Sequence, residues 1–160
     1  MRKTERIAEF VTGLEDCSGN GGDPYLAGYF ACFNSGRYYE AHDVLEDLWI
    51  RQGKEHPDYA FLKGLIQLAG GFVHLRLQHL YPEHPRHGRR LAPACRLLSL
   101  AAGNLRSYPE NHLGVDVAQA ILLAEETVRV AGSRDLSGNP WRPSMLPSLR
   151  FPSHEGQERR

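Results

Sequence analysis

At 160 residues, with 19 lysines and arginines against 19 aspartates and glutamates, the chain has the size of one domain and no net field to hold it on nucleic acid or an anionic membrane. Folding at this length buries roughly 70% of the surface an unfolded chain exposes, enough for one sizeable core. No stretch approaches the roughly 20 apolar residues that span a bilayer, and the charged opening from Met1 to Glu9 has no apolar signal-peptide core behind it, so the expectation is a cytoplasmic protein.

In chain order, Ile7, Phe10, Val11 and Leu14 recur at helical spacing before the break Ser18-Gly-Asn-Gly-Gly-Asp23. A second helix starts at Pro24 with Asp23 as its cap, and Leu26, Tyr29, Phe30 and Phe33 form its apolar stripe up to Asn34-Ser-Gly36. Arg37 to Arg51 is a long helical stretch, ended by Gly53 to Pro57. The next helix, capped by Asp58 and running to Leu80, is apolar almost all round (Leu65, Ile66, Leu68, Ala69, Phe72, Val73, Leu75), the signature of the central helix of a bundle. A polar break from Tyr81 to Arg86 precedes a fifth pattern (Leu91, Cys95, Leu98, Ala102, Leu105) with Pro93 near its start, and Val117, Ile121, Ala124 and Val128 give a last helix ending at Gly132.

Four prolines among Trp141, Met145, Leu146, Leu149 and Phe151 forbid helix between Asn139 and Pro152 and predict an extended strap anchored by its apolar residues. The expected architecture is therefore all-α: a single-domain bundle of five to six helices over residues 1–152 with a Pro-rich C-terminal strap, followed by a disordered tail over 153–160. No alternating strand pattern appears. Cys17, Cys32 and Cys95 are odd in number and widely spaced, which argues against a disulfide framework and a thiolate zinc site and leaves Cys32 and Cys95 as core packing.

Chemistry concentrates on the third and fourth helices. A step of 100° per residue places Tyr38, Leu45 and Trp49 on one side of His42, and Tyr39 and Glu46 on the other, so His42 points inward with Glu46 at the edge of the buried stripe. Glu40, Val44, Asp47 and Arg51 fall on the opposite side, which leaves Glu40 and Asp47 solvated. On the central helix Lys63, Gln67, Gly70, Gly71, His74 and Gln78 make one polar ridge. If the two helices pack antiparallel across their short connection, His42 and Glu46 come level with Gln67 and His74, and Gly70-Gly71 admits close backbone approach. Such a set suits a divalent metal, with His42, Glu46 and His74 as ligands, or a small polar ligand walled by Tyr39 and Trp49. The competing reading is a satisfied polar network that only fixes helix register.

Elsewhere the signals are thinner. Cys17 beside Asp16 and Ser35 before a glycine have no histidine placed by local pattern, which disfavours a nucleophilic triad. The stretch from His79 to Arg90 gathers His79, His84 and His87 with Arg86, Arg89 and Arg90. It suits an anion or an RNA backbone, but without interleaved aromatics a solvated face is the preferred reading and nucleic acid a disfavoured partner.

The run Phe33-Asn-Ser-Gly-Arg-Tyr-Tyr-Glu-Ala-His-Asp-Val-Leu-Glu-Asp-Leu-Trp49, followed by Gly64-Leu-Ile-Gln-Leu-Ala69 and His74, resembles the bacterial and archaeal family called domain of unknown function 309. The resemblance spans about residues 25–105 and implies a compact helical bundle whose signature residues fall on Phe33, Asn34, Tyr39, His42, Glu46, Trp49, Gln67 and His74. It implies no reaction, substrate or cofactor. The Pro-rich C-terminal segment and the His/Arg loop depart from the family pattern, and nothing is carried over to them.

The expectation for function is thus an interhelical site with Tyr39, His42, Glu46, Trp49, Gln67 and His74 binding a small polar molecule or a divalent metal, with His42, Glu46 and His74 as candidate acid/base groups. The alternative is a non-enzymatic structural or interaction module, including a homo-oligomer.

Overall fold

A computed structural model describes residues 2–17, 23–132 and 138–152; of residues 12–17 it describes the backbone only. The expected 153–160 tail, Cys17's side chain and the break over residues 18–22 lie outside the described part.

Six helices follow one another: α1 (Lys3–Cys17), α2 (Pro24–Asn34), α3 (Tyr38–Gln52), α4 (Tyr59–Leu80), α5 (Leu91–Leu105) and α6 (Val117–Gly132). The carboxylate of Asp23 accepts from the backbone N–H of Tyr25 at 2.8 Å and of Leu26 at 3.3 Å, capping α2 as its sequence requires. At the other end the N–H of Arg37 reaches the carbonyl of Cys32 and that of Gly36 reaches Phe33. This reversal needs a left-handed residue, and Gly36 supplies it at φ 78°. The chain then enters α3 without an irregular linker, which fixes α2 and α3 as neighbours.

Asp58 behaves otherwise than its position suggests. It stands before α4 but makes no side-chain cap; its carboxylate turns to His112 Nε2 at 2.7 Å. His112 belongs to a small antiparallel hairpin that hydropathy does not reveal, β1 (Asn111–His112) and β2 (Val115–Asp116), paired Asn111 to Asp116 and His112 to Val115. Its turn residues Leu113 and Gly114 have φ of 52° and 79°, the doubly left-handed turn that two-residue hairpins favour. A leucine at the first of these positions hides the usual Asn-Gly signal.

As expected, α4 is central: Phe61, Leu62, Leu65, Ile66, Leu68, Ala69, Phe72 and Leu75 are all buried, with α5 along one side and α3 along the other. Its core neighbours from α2 and α3 are aromatic, Tyr29, Phe30, Phe33 and Tyr38. The Tyr29 hydroxyl donates to the Leu65 carbonyl at 2.6 Å, so the polar tip of a fully buried ring is satisfied. α1 packs at the edge of this core, on a small cluster of Ile7, Val11 and Val44, with Phe10 touching both.

Residues 138–152 form neither helix nor strand. Trp141 and Leu149 are buried in the main core, and Phe151 stacks on Phe30 at 4.9 Å. Met145, expected as an anchor, is 81% exposed. The segment is also held by polar contacts: Asn34 donates to the Leu149 carbonyl and accepts from its N–H, both at 2.8 Å, and the Trp141 indole donates to the Tyr38 hydroxyl at 3.0 Å. Among the described residues, no helix is long and apolar enough to cross a membrane.

Candidate functional site

The six residues singled out by sequence separate into three places. The first is the α1 side of α3. His42 is half-buried, with Nδ1 3.2 Å from an Asp43 oxygen and Nε2 3.4 Å from a Glu46 oxygen. Lys3 of α1 bridges the same two carboxylates, at 3.1 Å to Asp43 and 3.4 Å to Glu46. Burial works to lower the Lys3 pKa, but the hydrogen bonds and charges of Asp43 and Glu46 outweigh it and raise the value. Tyr39, 64% exposed, lies nearly parallel to the His42 ring at 6.3 Å.

Two hollows meet beside this network. One, of about 400 Å³, lies between α1 and α3 over an apolar floor of Ile7, Phe10 and Val44, with Lys3, Arg6 and Asp43 on its walls. The other, about 370 Å³, lies between the start of α3 and the Val73, Arg76 and Leu77 face of α4. Arg37, Tyr39 and Glu40 line both. Cys32 also lines the first, and its thiol is pushed up by burial, with Arg37 opposing and Glu40 reinforcing the shift.

This arrangement corrects the helical-wheel reading of α3. Val44, on the side opposite His42, is buried because α1 covers it. Asp47 is partly covered too; burial raises its pKa against the pull of Lys3, and it pairs with Arg51 at 3.1 Å. Glu40 is exposed as expected, while α1 docks over the Val44 part of this face. Asp43 and Lys3 went unrecognised in the sequence. Asp43 adjoins His42, but nothing local couples either residue to a lysine 40 positions upstream.

The second place is the polar ridge of α4, which faces α5 instead of α3. Gln67 accepts from the Asn104 amide at 2.7 Å, and Gln78 accepts from the Arg90 N–H at 2.7 Å. The Arg90 guanidinium donates to His74 Nδ1 at 2.8 Å. Gly71 is the point of closest approach, since a Cβ there would meet Leu98 at 2.6 Å. Burial, and then the charge of Arg90, lower the His74 pKa. Arg90 is therefore engaged internally, whereas Arg86 and Arg89 are exposed. Spacing along α4 fixes that these residues share a face; it does not say which neighbouring helix that face meets.

The third place holds Trp49, stacked on Tyr59 at 5.0 Å across the α3–α4 connection rather than beside His42. Its indole Nε1 is buried without a partner among the described residues, as is Gln52 Oε1.

The expected convergence of His42 and Glu46 with Gln67 and His74 therefore does not form: no hydrogen bond or ion pair among the described residues joins the two pairs. The metal set His42, Glu46 and His74 fails with it, because the His74 Nδ1 lone pair is taken by a guanidinium. Among the described residues no group of three or more His, Cys, Asp or Glu side chains is arranged to hold a metal ion.

Comparison with known proteins gives one family: residues 26–81 match the family described as Domain of unknown function (DUF309). No curated protein and no solved structure matches. The matched stretch holds most of α2 and all of α3 and α4, with all six expected site residues. The partners that engage them, Lys3, Arg90 and Asn104, lie outside it.

Proposed function

From the premise that residues 26–81 belong to the domain of unknown function 309 family, we propose that this chain binds a small molecule in the hollow between α1 and α3. The ligand class is a compact molecule with an apolar body and a polar, anionic head. The observation that carries this reading is the hollow itself: about 400 Å³ over an apolar floor, with Lys3, Glu40 and Asp43 on its walls beside Arg6 and Arg37, whose guanidinium groups make no hydrogen bond or ion pair among the described residues. That combination of apolar lining and few polar groups is the usual make-up of a ligand pocket. Tyr39 supplies an exposed ring at the mouth. His42 contacts Asp43, which lines the hollow, and Glu46. A divalent metal has no place in the proposal, since its three expected ligands are not brought together.

For Gln67 and His74 we infer a packing role, favoured by one specific observation: their polar atoms are already taken by Asn104 and Arg90. Such pairs fix which residues of α5 lie against α4.

The test is a proton–nitrogen correlation titration of the full chain with a panel of small organic acids. Shifts confined to residues 3–10 and 37–46, and lost in Arg37→Ala and Tyr39→Ala while the rest of the spectrum is unchanged, support the reading. Shifts centred elsewhere, or binding unaffected by both substitutions, overturn it.

A further inference from the structure

The loop between α4 and α5 contains a chemical arrangement that the proposed ligand site does not use. A guanidinium has no lone pair available and can only donate. Arg90 Nη1 lies 2.8 Å from His74 Nδ1, and Arg90 Nε and Nη2 lie 2.9 and 2.6 Å from His87 Nδ1. Both Nδ1 atoms must therefore be acceptors. His84 is held the same way, its Nδ1 accepting the backbone N–H groups of Arg86 and His87, each at 3.1 Å. All three rings are thus neutral, with their proton on Nε2, and each uses its only lone pair to hold the loop.

A second proton can go only to Nδ1, the atom that makes each of these bonds. We propose that residues 81–90 form an acid-released clasp: Arg90, shared by neutral His74 and His87, ties the loop to α4, and protonation of these rings lets it go.

The surroundings offer the imidazolium no compensation. α4 presents His74 and the non-titrating Gln78 to Arg90; the loop presents Tyr81, with its ring 5.8 Å from His87, and the stacked His84 at 4.3 Å. The charges acting on His74 and His87 are those of Arg90, and for His87 also Arg86, with no carboxylate among them. His42 is the internal contrast, since each of its ring nitrogens faces a carboxylate oxygen. Burial first, then these cations, lower the pKa of both clasp residues from the ordinary 6.5. A histidine whose pKa is lower folded than unfolded takes up its proton more readily in the open state. The clasp's contribution is therefore complete above about pH 6.5 and declines as the pH falls toward the lowered values.

The experiment uses the full chain. Long-range proton–nitrogen spectra of the histidine rings at pH 8 should show Nδ1 unprotonated in His74, His84 and His87. Amide exchange at His84, Gly88, Arg89 and Arg90, corrected for its intrinsic pH dependence, should quicken at least tenfold between pH 8 and pH 5 while α2 and α3 stay protected. In the double variant His74→Gln, His87→Gln the side-chain oxygens still accept from Arg90 but do not titrate, so that quickening should disappear. An Nδ1 proton on His74 or His87 at pH 8, loop exchange flat with pH, or an unchanged response in the double variant would each overturn the clasp. Should the double variant not fold, the ring spectra and the exchange of the native chain decide alone.

Discussion

Two adjacent glycines on α4 occupy opposite energetic situations. A Cβ on Gly71 would meet two carbons of Leu98 at 2.6 Å, whereas one on Gly70 would meet only the Leu97 Cδ1 at 3.2 Å. Gly71→Ala is therefore expected to destabilise the protein by about 1–3 kcal/mol through overpacking. Gly70→Ala gains the better helix propensity of alanine, worth up to about 1 kcal/mol, and should be neutral or stabilising. Urea denaturation of the two variants would show their midpoints moving apart. The pair also marks how far single residues could be read from sequence. Gly70 and Gly71 were recognisable as a place of close approach, and His42, Glu46, Gln67 and His74 as polar groups on apolar helices. The neighbours that receive them were not, because a helical repeat specifies a direction and the chain has several helices to put there. Asp58 shows the same limit, since a residue in the position of an N-cap spends its carboxylate on His112.

At the scale of elements, all six helices could be recognised from their periodicity, and the caps of α2 from Asp23, Pro24 and Gly36. The hairpin could not, because two-residue strands carry no repeat. α1 illustrates docking hidden from local pattern: its stripe was visible, but it lies across both α2 and α3, and the part of α3 it covers reads as polar apart from Val44. That attachment is slight. It consists of the small Ile7, Val11 and Val44 cluster, Phe10 packed between that cluster and the main core, and the Lys3 bridges, and exposed ion pairs of that kind contribute at most about 1 kcal/mol. Val11→Asp is expected to release α1 while α2 to α6 remain folded, seen as loss of amide-exchange protection confined to residues 3–17. Because α1 forms one wall of the proposed hollow, the same variant should lose ligand binding. Asn34 makes the opposite kind of attachment, donor and acceptor to one backbone residue. Asn34→Asp keeps the acceptor but sets a carboxylate against the Leu149 carbonyl. It should cost about 1–3 kcal/mol and quicken exchange at Leu149 more than in the helices.

For the whole molecule, the core is continuous from α2 to the residues beyond α6. Trp141, 6% exposed, and Leu149, 4% exposed, belong to the same buried cluster as Phe33, Tyr38 and Phe72. Trp141→Ala should therefore lower global stability by about 3–5 kcal/mol, like removal of any large core ring, and should do so in one cooperative transition. With Trp49→Phe as background, Trp141 becomes the sole tryptophan, and its fluorescence should report the same midpoint as helical circular dichroism. Helical class and a central α4 followed from composition and periodicity. Which apolar residues after α6 reach the core did not: Trp141 and Leu149 do, and Met145 does not, a choice made by tertiary fit where no repeat exists.

Asn34 sits near the start of the family-matched stretch, and the backbone it grips lies at residue 149. During synthesis the ribosome must deliver the chain from Tyr81 to Leu149 after α4 is complete, several seconds' work at about 5–20 residues per second. Throughout that interval the Asn34 amide and the site awaiting the Trp141 indole face water. The nascent bundle therefore waits, with an unfilled slot beside Tyr38, for the last part of its own chain.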